Sequence, residues 1–213
     1  GVGTIGARLA RGLLAAGADV AVSDTRPERV TALRAEGARH LEVTEHGDVD
    51  ACLVCLPSEQ AVREVLLSTE GIIPTLRPDA LVVNVSTASL DLVNGCASLL
   101  ADRGNPFVDG PVTAARGPDE PLMMFAGGER AVVEDLAGWL RPVVHPVQYM
   151  GTVGTGTATK LALQYLGIGR LISTIDSLGF LRAEGVDLHE FLDLLPRAAP
   201  QMSTVRIVRR ALA

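Results

Sequence analysis

The chain opens with a glycine-rich turn, G-V-G-T-I-G, that leads directly into the helical stretch A-R-L-A-R-G-L-L-A-A-G. In a G-x-G-x-x-G turn the first glycine permits a tight bend, the second lets a pyrophosphate approach the backbone, and the third allows close helix packing. The free amides and positive dipole end of the helix then face the phosphates. Asp24 lies 18 residues after Gly6, where an acidic residue accepts from a ribose 2′-hydroxyl. We predict a dinucleotide site with Gly1, Gly3, Gly6 and Asp24; the alternative is a plain turn with a solubilising aspartate.

Short apolar β-type runs alternate with amphipathic stretches over the first two-thirds of the chain. The pattern predicts strands at 19–24, 50–57, 80–86, 106–111, 122–128 and 144–151, and helices at 27–37, 58–67 and 90–104, with Ser58 capping the second of these. Such alternation favours parallel pairing with right-handed crossovers, which is a doubly wound Rossmann-type sheet. The first strand of this fold normally precedes the glycine turn, so we expect residues before Gly1.

The pattern changes near residue 150. From there the chain has no strand signal, and apolar residues recur at helical spacing on nearly every face, which is typical of a buried helix. A further helix follows, with Asp187 as its predicted N-cap. We predict a dinucleotide-binding domain at 1–151, then an interdomain helix and the start of an all-helical domain at 152–213, of which only the first part is present.

The composition excludes several classes of protein. Apolar residues make up 47% of the chain, the net charge is −6, and no basic block is present, which disfavours nucleic-acid binding. No signal peptide opens the chain, and no apolar run is long enough for a membrane span. Cys52 and Cys55 form a C-x-x-C, but residues three apart on a strand face opposite sides and do not share a metal. We expect a soluble cytoplasmic protein without a metal site.

Six stretches in order resemble the motifs of the β-hydroxyacid dehydrogenase family, which includes 3-hydroxyisobutyrate dehydrogenase, tartronate semialdehyde reductase and 6-phosphogluconate dehydrogenase. They are G-V-G-T-I-G at 1–6, C-L-P at 55–57, V-N-V-S-T-A-S at 83–89, F-V-D-G-P-V-T at 107–113, M-M-F-A-G-G at 123–128 and G-T-G-T-A-T-K-L-A at 154–162. The resemblance covers nearly the whole chain, to about residue 205.

The resemblance implies a set of site residues. Cofactor contacts would come from Gly1, Gly3, Gly6, Asp24, Leu56, Pro57 and Thr87. Substrate contacts would come from Thr113, Ala114 and Ala115, with the Ser86 hydroxyl bonding cofactor or substrate carboxylate. The resemblance also implies a catalytic lysine at Lys160, and dimers or tetramers built through the helical domain.

Lys160 also has the chemistry that the reaction requires. Oxidation of a β-hydroxy acid removes a hydroxyl proton as hydride passes to nicotinamide, so one positioned base suffices. Lys160 is the only lysine among 19 basic residues, and arginine stays protonated. Desolvation on an apolar helix lowers a lysine pKa; the alternative is a lysine that snorkels at a helix start. Gln164, four residues on, shares its helix face as a catalytic partner or a core-facing amide.

Three departures from the family's pattern bear on the substrate. Thr113-Ala114-Ala115 replaces the family's S-G-G, Leu163 and Gln164 replace an Asn, and the turn 114–120 is rich in charge and proline. We predict an NAD(P)-dependent oxidoreductase of a small β-hydroxy acid or its semialdehyde, with NAD preferred over NADP, acting as a homodimer or homotetramer. The alternatives are an imine-reductase-like enzyme of the same fold and a non-catalytic dinucleotide-binding protein.

Overall fold

The chain forms two compact units in the computed structural model. The structure describes residues 1–41, 47–69, 71–114 and 120–198. One unit is Gly1–Leu161, and the other begins at Ala162. The domain boundary that the sequence predicts at 151/152 stays a prediction.

Helices and strands alternate through the first unit, and the described part of the second unit consists of helices. The helices are α1 (Thr4–Ala15), α2 (Pro27–Ala35), α3 (Glu59–Leu67), α4 (Leu90–Ala101), α5 (Arg130–Leu140), α6 (Thr155–Ala183) and α7 (Leu188–Ala198). The strands are β1 (Ala21–Val22), β2 (Arg39–His40), β3 (Ala51–Val54), β4 (Leu81–Asn84), β5 (Phe107–Asp109), β6 (Val112–Thr113), β7 (Leu122–Gly127) and β8 (Val144–Gly151). The sequence analysis did not predict β2, β6 or α5.

The described strands form two sheets. A two-stranded sheet pairs β1 with β2 in parallel, and a six-stranded sheet has the order β3-β4-β5-β7-β6 with β8 also pairing β7.

The prediction of parallel pairing is wrong for part of the larger sheet. The pairs β3–β4, β4–β5 and β7–β8 are parallel, but β7 runs antiparallel to both β5 and β6. The connection at 114–121, between β6 and β7, is too short for a crossover helix, and short connections favour antiparallel pairs. The strands β5 and β6 run in the same direction, so both are antiparallel to β7. The fold is therefore an α/β Rossmann-type fold with a mixed sheet.

Side chains cap three helices at their first turn. Ser58 accepts from the Ala61 amide at the start of α3, and Ser89 accepts from the Leu92 amide at the start of α4. Asp187 accepts from the amides of His189 and Glu190, as its predicted role requires. Each cap satisfies amides that lack a partner within the helix.

Helices cover both faces of the six-stranded sheet. One buried cluster joins Val54 and Val82 to α3 and α4, and the other joins Val83 and Val108 to α1 and α5. Cys52 packs against the first cluster and Cys55 against the second. The two thiols therefore face opposite sides of the sheet, as the strand periodicity predicts.

The second unit presents an apolar helix surface. Leu178 of α6 is buried against Leu192 of α7. Most large apolar side chains of α6 are nevertheless exposed in this chain, and the expectation that the helix is buried on nearly every face is wrong for the single chain. We call the following set the α6 apolar surface: Leu163, Tyr165, Leu166, Ile168, Leu171, Ile172, Ile175 and Phe180. In the described part of the chain, no helix is both long and apolar enough to cross a membrane.

Candidate functional site

The glycine turn packs its backbone closely at the start of α1. A side chain at Gly6 would collide with the carbonyl oxygen of Gly1, and a Cβ at Gly1 would lie 2.6 Å from the carbonyl oxygen of Cys55. Gly3 is the N-cap of α1 and provides no side-chain cap. The N-cap residue thus leaves the start of α1 open to an external acceptor, and the lack of side chains at Gly1 and Gly3 leaves room for a pyrophosphate.

Asp24 lies directly against this turn. Its Oδ2 accepts from the Val2 amide at 2.7 Å, and its Oδ1 accepts from the Arg26 amide at 3.0 Å. Arg29 on α2 places Nη1 3.4 Å from Oδ2. Burial alone would raise the pKa of Asp24, but the two amides and the Arg29 guanidinium hold it below its usual value. Asp24 is therefore an ionised acceptor beside the glycine turn.

The carboxyl ends of β3 and β4 are joined by the Ser86 hydroxyl. This hydroxyl donates to the carbonyl of Val54 at 3.1 Å and accepts from the Leu56 amide at 2.9 Å. Leu56 in turn lies beside the turn, with Cδ2 2.9 Å from a Cβ at Gly1. Two predicted cofactor residues therefore lie next to the Ser86 hydroxyl: Leu56 donates its amide to it, and Thr87 follows Ser86 in the chain. Pro57 follows Leu56. Ser86 is 4% exposed, so its direct contact with substrate stays a prediction.

Lys160 lies in the second turn of α6 and is partly buried. Its Nζ donates to the carbonyl oxygen of Val112 on β6 at 3.0 Å. Burial lowers the pKa of the Lys160 amine below that of an exposed lysine. The amine therefore lies beside the strand segment that continues through Thr113 and Ala114.

Asp109 ends β5 and holds the start of α6. Its Oδ1 accepts from the Gly154 amide at 2.8 Å, and its Oδ2 accepts from the Thr157 amide at 2.6 Å. Burial raises the pKa of this carboxyl, and the two amide donors oppose the rise. The side chain is completely buried.

The structure describes three of the four remaining predicted site residues. Thr113 is partly buried on β6, and Ala114 follows it. Ala115 lies outside the described residues. Gln164 is an exposed residue of α6 in the second unit, so its partnership with Lys160 stays a prediction. Within the described ranges, no group of three or more His, Cys, Asp or Glu side chains could hold a metal ion.

Three features of the site are absent from the sequence interpretation. They are the Val112 carbonyl that receives the Lys160 amine, the two amides held by Asp109, and the Arg29 guanidinium beside Asp24. The first two join residues 45 or 48 positions apart, which no local pattern encodes. The Arg29 contact could have been predicted from the sequence, because Arg29 lies five residues after Asp24 at the start of α2.

Comparison with known proteins identifies the family. Residues 1–151 match the model of the NAD binding domain of 6-phosphogluconate dehydrogenase. The chain is 27% identical, over 216 residues, to the probable 3-hydroxyisobutyrate dehydrogenase-like 3, mitochondrial, of Arabidopsis thaliana. The chain belongs to the β-hydroxyacid dehydrogenase family. The matched region is an NAD(P)-binding domain, and the side-chain-free turn described above fits that cofactor.

The relatives that this chain matches are longer than the matched region. The Arabidopsis match covers 97% of this chain and 66% of the relative, so the chain spans just under two-thirds of that protein. The cytokine-like nuclear factor N-PAC of Pongo abelii is 26% identical over 200 residues, which cover 92% of this chain and 36% of N-PAC. The solved 3-hydroxyisobutyrate dehydrogenase from Salmonella typhimurium is 26% identical with a TM-score of 0.79, covering 93% of this chain and 71% of that one.

Proposed function

We propose that this chain is part of an NAD(P)-dependent oxidoreductase that transfers hydride between nicotinamide and a small β-hydroxy acid or its semialdehyde. The observation that carries the proposal is the single lysine of the chain, half-buried on α6, with its Nζ 3.0 Å from the Val112 carbonyl. The relatives named 3-hydroxyisobutyrate dehydrogenase support the same substrate class.

The residues of the chain divide the chemistry between them. The nicotinamide, when bound, supplies the hydride acceptor or donor. The Lys160 amine, when neutral, takes the proton of the substrate hydroxyl, and as ammonium it returns that proton to a carbonyl in the reverse direction. The Val112 carbonyl accepts one N–H of this group and fixes its direction. Thr113 and Ala114 contact the substrate carboxylate and orient it; the substrate contact of Ala115 and the catalytic role of Gln164 stay predictions.

The proposed cofactor site joins three segments of the first unit. Gly1, Gly3 and Gly6 leave the backbone open to the pyrophosphate, and Asp24 accepts from the adenosine ribose. Ser86 holds the Leu56 segment beside the glycine turn. Because Asp24 is ionised, it repels a 2′-phosphate, so we propose that NAD is preferred to NADP.

A screen of β-hydroxy acids with NAD⁺, followed by NADH absorbance, tests this function. An enzyme of the proposed class reduces NAD⁺ with at least one short β-hydroxy acid and loses that activity on Lys160→Met. Reduction of cyclic imines with no hydroxy-acid activity would instead indicate an imine-reductase-like enzyme. Cofactor binding with no turnover of either substrate class would indicate a non-catalytic dinucleotide-binding protein.

We also propose that the active form is at least a dimer. The α6 apolar surface is exposed in the single chain; Tyr165, for example, is 79% exposed. Large apolar side chains exposed together on one helix mark an interaction site. The same helix of a second copy, related by a two-fold axis, covers part of this surface on both copies. The location of the protein in the cell stays a prediction.

A further inference from the structure

The start of α6 is held by an acceptor from another element of the fold. The first amides of a helix have no partner within it. Here the carboxylate of Asp109, at the end of β5, takes two of these amides, those of Gly154 and Thr157, at 2.8 and 2.6 Å. A carboxylate at this position also interacts favourably with the positive end of the helix dipole.

The junction around this carboxylate leaves no space for adjustment. A Cβ at Gly127 of β7 would collide with Asp109 Oδ1, and a Cβ at Gly156 would collide with the carbonyl oxygens of Asp109 and Phe125. The two glycines thus bring β5, β7 and the first turn of α6 into backbone contact. The carboxylate lies at the centre of this junction with no exposed surface.

The same strand segment holds Lys160 at its other end. Lys160 follows Thr157 by less than one helical turn, and its amine donates to Val112, three residues after Asp109. The segment 109–112 therefore contacts α6 twice, first at its amides and then at the lysine amine. Displacement of the first contact moves the second.

We propose that Asp109 is a positioning residue for Lys160: its carboxylate fixes the first turn of α6 on β5 and so sets the place of the lysine amine beside β6. The inference rests on the proposed role of Lys160 for its effect on catalysis, but the placement of the amine can be measured without activity. No charge effect of Asp109 on the amine is needed, because the burial of Lys160 accounts for the direction of its pKa.

The test uses the fact that the chain has one lysine. Protein made with ¹⁵N-labelled lysine has one side-chain amine signal, and its titration in NMR reports the environment of Lys160 directly. Asp109→Asn preserves the shape of the side chain, but the amide NH₂ accepts no hydrogen bond, so one helix amide loses its partner. We expect the titration midpoint to rise toward that of the urea-unfolded chain.

The control is Asn105→Ala. Asn105 is 4% exposed, and its amide donates to the carbonyls of Arg77 and Ala80, away from α6. This variant should unfold at a lower temperature without a change in the lysine midpoint. An equal rise in Asn105→Ala would contradict the proposal, because the effect would then be general destabilisation.

A second variant perturbs the contact between Asp109 and the start of α6 while keeping the carboxylate. The methyl of Gly127→Ala collides with Asp109 Oδ1, so the same upward shift is expected, and this variant decides the matter if Asp109→Asn does not fold. A folded variant whose midpoint stays at the wild-type value, with only a lower melting temperature, overturns the proposal.

Kinetics separate this inference from the proposed function. If the enzyme turns over a β-hydroxy acid, Asp109→Asn should lower kcat by about 10- to 100-fold, the scale of a misplaced catalytic group, with the KM for NAD⁺ unchanged. If the wild-type chain has no turnover but the midpoint still rises in Asp109→Asn, Asp109 positions the lysine and only the proposed function fails.

Discussion

The Nζ of Lys160 on α6 donates a hydrogen bond to the carbonyl oxygen of Val112 on β6, 3.0 Å away. This contact places the single lysine of the chain against the strand segment that the family resemblance assigns to the substrate. Burial lowers the pKa of this amine, and a lowered lysine pKa favours the neutral form that a general base requires.

Replacement of this lysine should separate binding from chemistry. We expect Lys160→Met to bind NADH with wild-type affinity but to lower kcat by roughly a hundredfold or more, the usual scale for a lost acid–base group. Fluorescence titration and steady-state rates measure the two quantities. Arg141→Met, which removes an exposed cation at the end of α5, should retain the wild-type rate. A Lys160→Met variant with most of its rate would show that the lysine is structural.

The rate should depend on pH in opposite ways for the two directions. Oxidation needs the neutral amine, so its kcat/KM should rise with pH and level off above the pKa of Lys160. Reduction needs the ammonium and should fall over the same range. Since burial lowers this pKa, the change should occur below the pH at which an exposed lysine titrates. In Lys160→Met, the residual rates should show neither the rise with pH in oxidation nor the fall with pH in reduction. A pH dependence that persists in this variant would arise from another titrating group.

Asp24 should set the preference for NAD. We expect tighter binding of NADH than of NADPH, and a loss of about tenfold in NADH affinity for Asp24→Asn, the scale of one hydrogen bond to a charged group. The variant should lose less affinity for NADPH, because the repulsion of the 2′-phosphate is also removed. Asp19→Asn is the matched control, since Asp19 pairs with Arg39 at an exposed site. NADPH binding equal to or tighter than NADH binding in the wild type rejects this assignment.

The α6 apolar surface should hold two copies together. Light scattering at micromolar concentration should give at least a dimer mass for the wild type. Ile172→Glu should reduce it to a monomer, because it places a charge within a desolvated contact. Leu99→Glu, at an exposed leucine of α4, should leave the mass unchanged. A monomer mass for the wild type contradicts the dimer.

Much of the fold follows from local patterns in the sequence. The apolar runs of β3, β4 and β8 and the caps Ser58 and Asp187 lie where periodicity and capping chemistry predict them. The antiparallel orientation of β7 does not follow from local patterns, because the apolar run of this strand does not encode its direction. Direction depends on connection length, and the sequence analysis did not identify β6 within that connection.

The candidate site also has a part that local sequence patterns predict and a part that they do not. Gly1, Gly6 and Asp24 carry a short-range signature, and the structure brings them together. The contacts of Asp109 and Lys160 with residues 45 to 48 positions away depend on how β5 and α6 pack. The chemical requirement for a base identified Lys160 from the sequence. Nothing in the sequence identified the Val112 carbonyl oxygen that its amine contacts.

That oxygen belongs to the main chain, and this has a consequence for how such an enzyme diversifies. Every residue type at position 112 carries the same carbonyl, so the anchor of the lysine survives substitution of the side chain there and of its neighbours at Thr113 and Ala114. The residues proposed to contact the substrate are therefore free to vary while the proposed acid–base group stays in place. A library randomised at 113 and 114 should thus yield new substrate preferences and leave the hydrogen bond of Lys160 intact.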